Sequence, residues 1–210
     1  MRVESVDRIT NRKYRVTLED GTAFALYSGE VLKFHIEEGA ELSSDSFSQI
    51  HDEILMKRVK LRCMNLLKDM DRTQAQLTDR LKRDGYSRDL IDAALAYVAS
   101  YHYTDDARYS LNYVRTHSAS RSRKQIEFDL MKKGVCREDI RAAFDICEQE
   151  EGELYPPSGQ GDRPVIRRLM EKRHFDKNTA GFEETQKLIG YLSRKGFSLR
   201  DIRAELSEDE

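Results

Sequence analysis

The sequence predicts a mainly α protein: three tandem three-helix repeats forming an elongated curved array, behind a small N-terminal β-hairpin or three-stranded extension with a short helix. Two observations lead there. The strings Leu77-x3-Leu81-x3-Gly85-Tyr86, Ile126-x3-Leu130-x3-Gly134-Val135 and Leu188-x3-Leu192-x3-Gly196-Phe197 are one pattern written three times. Each continues to an apolar residue six places after the glycine (Ile91, Ile140, Ile202) and another four later (Leu95, Phe144, Leu206). Self-similarity over tens of residues marks stacked supersecondary units that bury their apolar faces against their neighbours. Residues 1–43, by contrast, follow a period of two, the signature of strands.

In that first segment Tyr14, Val16 and Leu18 alternate with Arg15, Thr17 and Glu19, and Asp20-Gly21 precedes Phe24 and Leu26. This is a hairpin signal with a primed turn at or beside Asp-Gly. Val3, Val6 and Ile9 add a third strand. Ser28 opens a short helix holding Val31, Leu32 and Ile36 and closed by Gly39. So small a sheet buries one face only, so it is expected to lean on that helix and on the first repeat.

Within each repeat, apolar residues four apart share a helical face, and the glycine supplies the left-handed backbone that stops the helix. Ser87, Cys136 and Ser198 follow, before charged residues and a new apolar i, i+4 pair. Serine suits an N-cap there and Cys136 does not. A preceding helix carries Leu55, Val59, Cys63, Leu66, Leu67 and Met70 in the first unit, and Ala107, Leu111 and Val114 in the second. Glycine to glycine, the spacing is 49 and then 62 residues. The extra length falls where all three prolines lie, between Gly152 and Pro164, and predicts a loop or hinge before the third unit. Gly190 weakens that unit's middle helix by roughly 1 kcal/mol. The organisation is therefore 1–43 extension, 44–102 repeat 1, 103–151 repeat 2, 152–164 linker and 165–210 repeat 3, with a radius of gyration above the ~17 Å of a globule this long.

The chain has 210 residues, 39% hydrophobic and 35% charged, with no Trp, a balance that suits thin helical units with much wet surface. No apolar run approaches the roughly 18 residues of a membrane span, and MRVESVDRIT lacks a signal-peptide core. Cys63, Cys136 and Cys147 form no CxxC and read as thiols of a reducing interior. A cytoplasmic protein is expected. The net charge of −2 divides into −5 over residues 1–54, +7 over 55–135 and −4 over 136–210. A basic block between acidic ones attracts a polyanion or an acidic protein face.

The candidate contacts within it are Arg80, Lys82 and Arg83, the run Arg115, Arg121, Arg123 and Lys124, and Lys132 with Lys133. Cations at helix C-termini also simply complement the dipole, so the two readings stand side by side. Asp105 and Asp106 lack a third ligand for a metal and suit a helix start. His35, His51, His102, His117 and His174 form no H-x3-H pattern, and there is no GxxxxGK[ST] or GxSxG. The reading is of no active site and no cofactor. Tyr86, Tyr97, Tyr101, Tyr103, Tyr109 and Tyr113 are read as half-buried packing residues in preference to a base-stacking platform.

One longer composite is specific. Arg72-Thr73-x3-Leu77-x3-Leu81-Lys82-Arg83-Asp84-Gly85-Tyr86, then Tyr103-Thr104-Asp105-Asp106-Ala107-Arg108-Tyr109-Ser110 and Tyr113-Val114-Arg115, then Arg123 through Val135, closely resembles the RecX family of recombinase regulators. The likeness is strong over residues 55–145, moderate in the last repeat and weak in the N-terminal extension. Thr104 stands where an apolar residue is common, the neighbourhood of Ser122 replaces a frequent glycine, and the proline-glycine stretch lengthens the second junction. The resemblance implies three three-helix units that bind the RecA recombinase filament on single-stranded DNA. It implies modulation, mostly inhibition, of ATPase, strand exchange and coprotease activity by a monomer lying in the filament groove. The alternative is a module acting directly on DNA through residues 55–135; binding to naked DNA is expected to be weak.

Overall fold

The computed structural model describes residues 1–150 and 162–207, so most of the expected 152–164 linker lies outside the described residues. The chain divides into two compact units, Met1–Asp105 and Asp106–Glu210.

In the first unit β1 (Val3–Thr10), β2 (Lys13–Leu18) and β3 (Ala23–Tyr27) form an antiparallel sheet in that order. Period-two alternation turns Val16, Leu18, Phe24 and Leu26 onto the buried face. A register shift between Val3 and Ser5 puts Val3 on the same face, while Ile9 stays exposed. The Asp20-Gly21 turn is not primed. The Gly21 N–H donates to the Leu18 carbonyl at 2.9 Å, only Gly21 has positive φ (+81°), and the Asp20 carboxylate accepts the Thr22 N–H at 2.9 Å. That Asx bond holds Asp20 in ordinary φ, which a type I′ turn forbids.

Helix α1 (Ser28–Lys33) is shorter than expected and buries no residue fully, and its Leu32 is 74% exposed. Ile36 reaches the core from the loop beyond, because His35 adopts φ +50° and ends the helix early. The sheet leans, as expected, on that helix, whose Val31 packs half-buried against the core, and on the helical segment that follows and opens the first repeat. The sheet's buried residues share one core with Leu42, Ile50, Leu55 and Val59, and Arg58 ties it down by donating to the Ala25 carbonyl (2.9 Å) and pairing with Glu30 (2.5 Å).

That segment is a continuous helical run: α2 (Ser44–Ser48), a π-helical segment (Gln49–Leu55) and α3 (Met56–Leu67). The Ser43 hydroxyl caps it by accepting the Ser46 N–H at 3.1 Å. Buried Ile50 and Leu55 lie five apart, whereas Val59 and Cys63 continue at four. The π turn absorbs that one-residue change of phase.

The remaining helices come in triplets. With α3 go α4 (Gln74–Arg83) and α5 (Arg88–Ser100). The second set is α6 (Asp106–His117), α7 (Arg123–Lys132) and α8 (Arg137–Glu150). The third is α9 (Arg163–Lys172), α10 (Phe182–Arg194) and α11 (Leu199–Ser207). In each, the first helix packs along the third: α3 on α5, α6 on α8, α9 on α11. The repeated apolar positions are the core: Leu77, Ile126 and Leu188, then Leu81, Leu130 and Leu192, then Ile91, Ile140 and Ile202, are all buried. Pro164 sits in the first turn of α9, where a missing N–H costs nothing, and α10 runs unbroken through Gly190.

The middle helices stop as the glycines require. Gly85, Gly134 and Gly196 take φ between +82° and +88°. The next N–H reaches back five residues in every case: Tyr86 to Leu81 (3.2 Å), Val135 to Leu130 (3.2 Å) and Phe197 to Leu192 (3.3 Å). This is the Schellman stop, with the following apolar residue folded onto the helix. The caps of the third helices differ from expectation. Ser198 accepts the Asp201 N–H at 3.0 Å, but Cys136 also caps, its Sγ accepting the Asp139 N–H at 3.4 Å, while Ser87 makes no such bond.

Inside the second unit, repeats 2 and 3 touch directly. The Ser122 N–H donates to the Lys195 carbonyl at 3.2 Å, and the Arg123 N–H donates to Asp162 Oδ1 at 3.1 Å. Orphan amides at the start of α7 thus meet an orphan carbonyl at the end of α10. The expected hinge falls mainly outside the described residues; this contact flanks it.

Candidate protein-interaction surface

The nine cations divide between the two units. Arg80, Lys82 and Arg83 lie in the last turn of α4. Arg80 pairs with Asp84 at 3.4 Å, and Asp84 also holds Arg62 at 2.7 Å. Arg83 donates to its own helix at the Asp79 carbonyl (3.1 Å), and Lys82 points to solvent.

In the second unit, α6 and α7 bring the other six together. Thr73 and Ser122 occupy equivalent places before the middle helices, each capping its helix: Thr73 accepts the Gln76 N–H at 3.2 Å and Ser122 the Gln125 N–H at 3.1 Å. Just before α7, Arg121 donates to Asp129 at 2.5 Å and to the Tyr113 hydroxyl at 3.2 Å. Asp129 also accepts Gln125 Nε2 at 2.9 Å. Burial and the Asp129 charge push the Tyr113 phenol up, while burial and the Arg121 charge push His117 down. Arg123 is more deeply committed, with Nε to Glu127 at 3.1 Å, Nη1 to Glu148 at 2.5 Å and its guanidinium 4.2 Å over the Phe144 ring. Lys133 lies 5.5 Å over Tyr113. Arg115 is exposed on the last turn of α6.

Arg121 and Arg123 are thus neutralised inside the repeat, and their first task is structural. Among the described residues, Lys124 and Lys132 pair with no carboxylate. They share the outer face of α7 with Phe128, 57% exposed, and Met131, 42% exposed. The spacing i, i+4, i+7, i+8 makes one stripe, opposite buried Ile126 and Leu130. Sequence reasoning counted only charges here and missed Phe128 and Met131; a helical projection of α7 contains that signal. It also passed over Lys57 and Lys60 of α3 and Lys68 just beyond its end, although residues 55–68 contain no carboxylate.

Three family models match in order: RecX, first three-helix domain, at residues 60–97; second three-helix domain, at 105–143; and third three-helix domain, at 165–206. A regulatory protein RecX of Caldanaerobacter subterraneus subsp. tengcongensis is 30% identical over 203 residues, spanning 96% of each chain. This chain belongs to the RecX family of regulatory proteins. The RecX helix triplets fall on α3 to α5, α6 to α8 and α9 to α11, each built round its glycine-stopped middle helix. The regulatory protein RecX of Bacillus subtilis is 23% identical, covering 98% of this chain and 75% of the relative. Among solved structures, a regulatory protein RecX aligns with a TM-score of 0.57 at 21% identity over 99% of both chains. RecX of Lactobacillus salivarius aligns at 0.55 over 72% of this chain and 94% of that one. These two share its fold. Among the described residues of this RecX chain, no helix is long and apolar enough to cross a membrane.

Proposed function

We propose that the chain binds the RecA recombinase filament on single-stranded DNA and restrains its ATPase, strand exchange and coprotease activity by lying in the filament groove. Family membership supports the regulatory role. The observation that carries the contact is the outer face of α7, where two unpaired lysines bracket an exposed Phe128 and Met131. Apolar side chains at the centre of a contact supply most of the affinity, while rim lysines steer an acidic partner. Lys82 and Arg83 of α4 and Arg115 of α6 belong to the same proposal as further filament contacts, whereas Arg80, Arg121, Arg123 and Lys133 position the helices that present them.

The experiment is a titration of RecA ATP hydrolysis on single-stranded DNA. Suppression is expected at or below stoichiometric amounts, and joint replacement Phe128→Ala, Met131→Ala should weaken it at least about 10-fold with the fold intact. An unchanged hydrolysis rate at excess protein removes the reading.

A further inference from the structure

The helical segment Met56–Leu67 together with Leu55 and Lys68 contains Lys57, Arg58, Lys60, Arg62 and Lys68 and no acidic residue. Two of these five are consumed internally, Arg58 by Glu30 and Arg62 by Asp84. Lys57 and Lys68, eleven residues apart, lie within about 20° of each other on the exposed side of this helical segment, away from buried Val59 and Cys63, while Lys60 lies about 60° round from Lys57 and is half-buried. Among the described residues, no carboxylate pairs with them. Like charges on neighbouring turns of a helix repel, and Lys57 and Lys68 gain no ion pair among the described residues to offset it. Glu53 and Asp69 bound the segment and limit it to this length.

The row leads onto aromatic surface. Lys60 Nζ lies 4.9 Å from the Tyr97 ring centre. Tyr97 packs on the core and meets Tyr101 at 5.0 Å, and Tyr101 stacks on Tyr103 at 5.9 Å with the rings 18° from parallel. Tyr101 is 57% exposed and Tyr103 50%, which corrects their reading as packing residues. Their stacking is set by the backbone: His102 adopts φ +56° and the Tyr103 N–H bonds the Val98 carbonyl at 3.0 Å, turning the second ring back beside the first.

We propose that this surface binds single-stranded nucleic acid without the recombinase, placing bases on Tyr101 and Tyr103 and phosphates on Lys57, Lys60 and Lys68. Every base has a π-face, so such stacking tolerates any sequence and contributes about 1–3 kcal/mol per base. A duplex keeps its bases inside and offers this surface phosphates alone. An acidic peptide satisfies the lysines and leaves the stacked rings unused. From Lys57 to Lys68 the helix rises about 16 Å, room for about three phosphates of an extended strand. The site lies in the first compact unit and does not depend on the α7 contact proposed for the filament.

The test is fluorescence anisotropy of the full chain with a labelled oligothymidylate, beside an equal-length duplex and polyglutamate. The single strand should bind best, with log affinity falling against log salt at a slope of about −2, that is about 0.7 for each of three phosphates. Joint Tyr101→Leu and Tyr103→Leu, which keep apolar bulk, should weaken binding by about 10-fold or more. Joint Lys57→Gln, Lys60→Gln and Lys68→Gln should flatten the salt slope. Equal affinity for duplex, insensitivity to the tyrosine changes, or binding of polyglutamate without the oligonucleotide overturns the proposal; the last assigns the surface to an acidic protein. Suppression of RecA ATPase by the same variants is read in parallel, so that failure of this site and failure of the α7 contact are told apart.

Discussion

His35, His102 and His174 stand where the chain elsewhere uses glycine. They hold φ between +50° and +56°, and the residue after each bonds a carbonyl five places back, as after Gly85, Gly134 and Gly196. A histidine pays roughly 1–2 kcal/mol for that conformation. The glycines are not equivalent either. A Cβ on Gly85 meets nothing within 4 Å, whereas one on Gly196 comes within 2.6 Å of both Ser122 Oγ and Gln125 Cβ. Both have φ +88°, so Gly85→Ala and Gly196→Ala share the backbone strain and differ in the junction alone. The second should lower stability by at least about 1 kcal/mol more than the first in urea unfolding. The cations divide similarly. Arg123→Glu leaves Glu148 and Glu127 facing a new carboxylate and should cost about 2 kcal/mol or more, while Lys124→Glu should stay within about 0.5 kcal/mol and weaken filament suppression. Equal melting temperatures for these two variants would refute that division.

At the scale of elements, the π-helical segment carries its own clamp. His51 lies on it with Nδ1 2.7 Å from Asp52 and Nε2 2.6 Å from Asp89 of α5, its ring stacked 5.9 Å from Phe47 of α2. Burial opposes the charge, but the hydrogen bonds to Asp52 and Asp89 and their charges outweigh it, and the pKa rises above 6.5. Burial likewise opposes ionisation of Asp89, which its bonds to Ser87 and His51 overcome, lowering its pKa below 3.8. A raised histidine stabilises fully below its unfolded pKa and loses the contribution as pH climbs through the folded one; a lowered aspartate stabilises above its unfolded pKa. The clamp therefore works in mildly acidic solution and fades upward from neutrality. In thermal melts from about pH 5 to about pH 9, the margin of the native chain over His51→Gln should shrink as pH rises. A constant or growing margin is incompatible with the clamp.

For the whole molecule, the distribution of apolar burial predicts how it unfolds. Sheet and repeat 1 share one core, and repeats 2 and 3 each hold a separate one, joined within their unit by the Ser122, Gln125 and Gly196 contact. Calorimetry should accordingly show more than one transition. Gly196→Ala should displace the transition of the second unit and leave that of the first unchanged. A single two-state peak that shifts as a whole speaks against this division.

The helix triplets, their glycine stops and the strand alternation were readable because each depends on residues within a turn or two of one another: Leu81 with Gly85, Val16 with Leu18. The turn at Asp20 and the cap at Cys136 depart from the pattern at that same short range, through bonds of a side chain to its own neighbourhood that residue type ranks poorly. Charge availability belongs to another range. Arg123 finds Glu148 25 residues away, His51 finds Asp89 across 38, and Arg58 finds Glu30 across 28. A count of basic residues ranks Arg123 beside Lys124, and folding separates them, because pairing depends on which distant carboxylate the packed helices carry into reach. Local periodicity therefore announced a RecX-like stack of helices, while the surfaces left open for a partner emerged from contacts that exist after the chain has closed on itself.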